Sequence, residues 1–185
     1  MNTLTEFFGR IPKKVGMRNI KTSLAAAICA LIYAFFPTRS PAFACIGAIF
    51  GMGSDLENSK LNGGNRFFGT IIGGLIGIVL FRFYLIFYPE GGHHLLLVPL
   101  TFVGTMLLIV LCQMFWVGGV QPGGVVLCIV LFNTPVDTYV SYAFNRMFDT
   151  GVGVLVALLV NSLFRGGFTY KWTDRFYRMF HKKSK

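Results

Sequence analysis

Two arginines, Arg66 and Arg146, each open a long apolar block and are followed four residues later by a threonine, Thr70 or Thr150. A guanidinium inside an apolar span costs roughly 2.5–3.5 kcal/mol on insertion scales, so it needs a partner, a water-filled cavity or a place at the interface. Its planar fork binds a carboxylate bidentately, and a hydroxyl one helical turn further on lies on the same face. The pattern predicts an anion-binding site drawn from Arg66, Arg146, Thr70 and Thr150. A structural reading stands beside it. In that reading Arg146 pairs with Asp149 at i+3, Arg66 pairs with Asp55, Glu57 or lipid headgroups, and the threonines bond back to the carbonyl at i−4. Asp149, a carboxylate in an apolar block, is either that ion-pair partner or a proton-coupling group.

The blocks that carry these residues are spans. Of the 185 residues, 54% are hydrophobic and 20 are Phe, more apolar surface than one soluble core of this size can hide. The surplus must face lipid. Apolar stretches run over Ile20–Phe36, Ala42–Gly53, Phe67–Tyr88, Leu95–Val117, Val125–Phe132 and Ala143–Phe164, separated by Gly, Pro and charged residues. Four are long enough to cross roughly 30 Å of hydrocarbon, whereas the second and fifth are short or broken. Arg82 lies near the end of the third and snorkels. The expected architecture is an all-α integral membrane protein of six transmembrane helices. A basic cytoplasmic segment (1–19) precedes the membrane domain (20–164), and a basic, aromatic amphipathic tail (165–185) follows it on the cytoplasmic face.

With both termini inside, all of the 17 Lys and Arg residues except Arg39, Arg82 and Arg146 fall on the cytoplasmic side, as the positive-inside rule requires. The basic start followed by Ala42-Phe43-Ala44-Cys45 loosely resembles a cleaved leader. We read it instead as a retained first span, because Phe43 fits such a site poorly and the repeat described next needs that span.

Asn65-Arg66-Phe67-Phe68-Gly69-Thr70-Ile71-Ile72-Gly73 matches Asn145-Arg146-Met147-Phe148-Asp149-Thr150-Gly151-Val152-Gly153 at an offset of 80, with Asn, Arg, Phe, Thr and Gly in register. Each copy is preceded by a short block and opens a long one. The unit is therefore three spans, about 20–88 and 95–164, and an odd number of spans makes the two copies inverted. Gly69, Gly73 and Gly77, and likewise Gly47 and Gly51, form small-residue stripes that let helices approach closely. Asn65 and Asn145 are expected as caps or turn residues.

Other chemistries find no support. Cys29, Cys45, Cys112 and Cys128 lie in apolar blocks without a C-x-x-C pair and read as packing residues. His93 and His94 sit in a Gly-rich loop with only Glu90 nearby, a solvated turn and not a metal site. No nucleophile elbow, phosphate loop, metalloprotease or paired-carboxylate motif occurs, so no enzyme activity, catalytic residue or cofactor is expected. The formal charge of +10 is gathered at block edges and not on a basic fold, which argues against nucleic acid.

Gly16-Met17-Arg18-Asn19-Ile20-Lys21-Thr22-Ser23-Leu24-Ala25, Pro41-Ala42-Phe43-Ala44, the Asn65 to Gly74 stretch, and Arg146 to Gly153 with Asn161 together resemble the membrane domain of the aromatic acid exporter and fusaric acid resistance superfamily. That resemblance implies a six-helix membrane domain, export of aromatic or other organic anions, and a dimer. It also implies anion handling by Arg18 and Lys21 at the cytoplasmic approach, residues that serve equally well as topology determinants. The expected function is thus export of organic anions, aromatic carboxylates above all, across the bacterial inner membrane. Its partners are the small anion and the lipid bilayer. The rival functions are an anion channel lined by the same arginines and a membrane scaffold without transport.

Overall fold

The computed structural model describes residues 16–91, 94–115 and 117–164. The segment before Gly16, His93 and the tail read as an amphipathic helix lie outside the described residues. All regular structure among the described residues is helical: α1 Met17–Ala34, α2 Ala42–Gly51, α3 Leu56–Phe87, α4 Leu97–Phe115, α5 Val120–Phe132 and α6 Tyr139–Leu163. Short 3-10 turns, His94–Leu96 and Val117–Gly119, lead into α4 and α5.

By length and composition α3, α4 and α6 can cross a membrane, whereas α2 and α5 are too short. α1 carries Arg18, Asn19 and Lys21 in its first turns and falls short of the same apolarity. The expected long and short pattern is visible, but three boundaries move. α3 starts 11 residues before the apolar block, because Asp55 caps it: the carboxylate accepts from the Asn58 backbone N–H at 2.8 Å. That bond and the Asn58 side chain hold the exposed Asp55 carboxyl below the usual carboxylate range, so the cap persists well into acid before protonation removes it. α5 absorbs Gln121-Pro122-Gly123-Gly124, which reads in sequence as a turn. Pro122 falls in the first turn of α5, where its missing N–H would be unpaired in any case. α6 likewise begins at Tyr139, ahead of the apolar block. Asn65 and Asn145 lie inside α3 and α6 and are not caps.

α3 and α6 form the antiparallel centre. Ser59 meets Asn161, Gly63 faces Val154, Gly74 faces Met147 and Phe81 stacks near Tyr139 with ring centroids 4.9 Å apart. Each short helix runs parallel to one of these long helices. A Cβ on Gly69 would strike the Gly119 carbonyl and one on Gly73 the Gly123 carbonyl, so α3 lies backbone to backbone against α5. A Cβ on Gly153 would strike the Ala44 carbonyl, and one on Gly47 would sit 3.0 Å from the Thr150 carbonyl, so α6 lies in the same way against α2. The glycine stripes are packing surfaces. Two apolar cores follow: Ile76, Leu80, Phe81, Leu108, Leu127 and Val130 join α3, α4 and α5, while Ala25, Cys29, Ala44, Ala48, Val156 and Ala157 join α1, α2 and α6. Each long helix thus packs on a short helix that belongs, in chain order, to the other half. Large apolar side chains such as Phe102, Met106, Leu155 and Leu159 remain exposed, the surface that lipid would cover.

Candidate functional site

Asp149 is the one carboxylate among the buried polar and charged side chains of the described residues, 4% exposed. Its Oδ1 accepts the Tyr33 hydroxyl at 2.6 Å and lies 3.5 Å from Arg39 Nη1. Arg39 comes from the connection between α1 and α2. It also donates to the Asn145 side-chain oxygen and lies over the Phe148 ring, 4.9 Å from its centroid. One guanidinium therefore holds three positions along a single stretch of α6. The acid, the tyrosine and the arginine come from three segments that meet only in the folded chain.

Arg146 does not take the partner that sequence offered it. No ion pair joins it to Asp149; its Cζ lies 3.5 Å from the Phe43 ring centroid and 4.3 Å from that of Tyr142. Its Nε and Nη1 are buried with no hydrogen-bond partner. Stacking on two rings is favourable for a guanidinium, but it satisfies none of the in-plane N–H groups. A buried donor left unmade costs about 1–3 kcal/mol, more for a charged group.

Arg66 repeats the theme at a separate place. Its Cζ lies 4.9 Å from the Phe50 ring centroid, and its Nε too is buried and unpartnered. Phe43 and Phe50 are seven residues apart on α2, so they lie on one face about 10 Å apart along the axis. The two guanidiniums are stationed two turns apart along the short helix and do not share one pocket. Thr70 and Thr150, each 1% exposed, are buried at helix contacts, with the Thr150 backbone against Gly47.

Arg18 and Lys21 are tied into a third cluster, at the opposite end of α1 from Tyr33. Arg18 Nη2 reaches the Met52 carbonyl at 3.4 Å, and Lys21 Nζ donates to the Asn161 Oδ1 at 3.0 Å. Asn161 in turn donates to the Asp55 carbonyl and to Ser59 Oγ, which accepts from the Gly53 backbone N–H. These bonds clamp the α2–α3 connection to the ends of α1 and α6. All four cysteines are free, and no group of metal-binding side chains occurs among the described residues.

Sequence reasoning missed Arg39, Tyr33, Phe43 and Tyr142. A signal existed for Arg39, one of the few cations placed off the basic side. Its partner across 110 residues of chain had no sequence mark.

Long apolar helices with lipid-facing side chains, holding buried arginine nitrogens without partners, define a membrane protein. The chain belongs to the aromatic acid exporter family: residues 13–164 match the profile of aromatic acid exporter family member 1. It is accordingly a membrane transport protein. No curated protein and no solved structure matches it.

Proposed function

We propose that this protein exports organic anions, aromatic carboxylates above all, across the bacterial inner membrane with both termini in the cytoplasm. The observation that carries the reading is Arg146, whose buried Nε and Nη1 have no partner while Phe43 and Tyr142 flank its guanidinium. A carboxylate accepts charge-assisted hydrogen bonds from such a guanidinium, and an aromatic ring on the same molecule packs among the rings that flank it. Arg66 over Phe50 is a second station, and Thr70 and Thr150 are the hydroxyls one helical turn on from the two arginines. Asp149 is the acid placed to couple proton movement to export. Arg18 and Lys21 serve the cytoplasmic approach while bracing it.

Growth of an export-deficient bacterial strain across a panel of aromatic carboxylic acids tests this. Expression of the chain is expected to protect against at least one acid, and Arg146→Ala and Arg66→Ala to abolish protection at unchanged membrane levels. No protection against any acid, or full protection by both variants, overturns the reading. Single-channel steps in voltage-clamped bilayers replace the carrier with a channel.

We also read the two halves as inverted repeats, and the chain as one that assembles with a second copy into a dimer. The crossed packing of α3 on α5 and of α6 on α2 supports the repeat, since exchanging the halves maps one contact onto the other. Ser59 and Tyr139 are buried, so sidedness is best probed at the exposed Lys60 and Asp137. Single cysteines there, in a chain whose native cysteines are replaced, are expected to label from opposite sides. Labelling from one side ends the inverted-repeat proposal.

A further inference from the structure

Arg39 and Arg146 approach the same stretch of α6 from different elements. Arg39 bonds to Asn145 and Asp149, the residues that bracket Arg146, and it emerges four residues before Phe43, the ring on which Arg146 stacks. Arg39 is 35% exposed and Asp149 5% at the side chain, so the pair sits between an open edge and the protein interior. Among the described residues, the charged and titratable groups shown against Asp149 are Tyr33 of α1 and Arg39 of the α1–α2 connection; Arg146 lies three residues before it on the same helix, and Arg66 of α3 is turned to Phe50. Two guanidiniums and one carboxylate leave the cluster with a single uncompensated positive charge. A low-dielectric site tolerates that best when one negative charge arrives.

We propose that Arg39 is a second anion-binding residue of this site, occupied by Asp149 when no ligand is bound, so that the cluster selects monoanions over dianions. The inference rests on the anion reading of Arg146. Asp149 stands in for a second ligand carboxylate: it satisfies Arg39 and leaves the N–H edge of Arg146 free. A dianion must displace Asp149 and leave its charge buried and unpaired. A monoanion need not.

The test is a charge cycle on the purified full chain in detergent, read by equilibrium binding of benzoate, a monoanion, and phthalate, a dianion. Arg39→Gln reduces the cluster to zero net charge and is expected to weaken benzoate about tenfold or more, since Asp149 then turns to Arg146. The Arg39→Gln, Asp149→Asn double variant restores one positive charge and is expected to recover benzoate binding to within about threefold of wild type. Asp149→Asn alone leaves two positive charges and is expected to raise phthalate affinity relative to benzoate about tenfold. Unchanged benzoate binding in Arg39→Gln, or no recovery in the double variant, overturns the role of Arg39. Those two variants decide the matter even if Asp149→Asn alone does not fold. Arg146→Ala separates the underlying reading: if wild type binds no benzoate, or Arg146→Ala binds it equally well, the anion site itself is refuted.

Discussion

Gly153→Val is expected to remove the folded protein from the membrane. A Cβ at this position would strike the Ala44 carbonyl and come within 2.9 Å of the Ala48 backbone nitrogen. The obstructing atoms are backbone, so no rotamer change relieves the clash and α2 must move away from α6. Overpacking against yielding side chains costs typically about 1–3 kcal/mol, and here the obstacle cannot yield. A loss above about 3 kcal/mol is a large share of a typical 5–15 kcal/mol of stability. Gly124→Ala is the control, because its Cβ would meet only Leu108 at 3.8 Å. Membrane levels and protease resistance should fall for Gly153→Val and stay at wild type for Gly124→Ala. Equal levels for both would show that the α2–α6 contact is not essential to folding.

The second large effect concerns Arg146→Lys. The substitution keeps the positive charge but loses Nε, the planar fork and the two-ring stacking on Phe43 and Tyr142. An ammonium is more strongly hydrated and donates from a point, so it neither stacks nor presents a bidentate edge. Transport should fall about tenfold or more at equal protein level, a loss of about 1.4 kcal/mol of anion binding or beyond. Full activity in Arg146→Lys would mean that charge alone matters and that the guanidinium plane does not.

The order of helices and the short second and fifth elements were legible because apolar block length and Gly or Pro breakers report directly on what can lie in lipid. Helix ends were less so. Residues 56–66 are too polar to read as a span, yet they continue α3 beneath the Asp55 cap, since helical hydrogen bonding extends past the apolar stretch. Gln121 to Gly124 read as a turn because proline and glycine usually break helices, but a first-turn proline breaks nothing, and two of those residues adjoin α3 or α4. Arg66 and Arg146 stood out as charges in apolar company. That Asp149 belongs to Arg39 and not to its near neighbour Arg146 depends on how far the α1–α2 connection reaches toward α6, a tertiary fact without local sequence signature.

The crossed packing of short on long helices has a consequence for biosynthesis. α2 emerges early, yet the surface it covers, from Thr150 to Ala157 on α6, is made only after three further α-helices. At about 5–20 residues per second, on the order of ten seconds of translation separates them. Throughout that interval a ten-residue helix too short to span the bilayer has no partner for its glycine face, and Arg39 has no Asp149. The nascent chain must therefore be sheltered, by the insertion machinery or by its own earlier helices, until α6 arrives. Chains truncated before Asp149 are predicted to be cleared by membrane quality control instead of persisting as stable fragments.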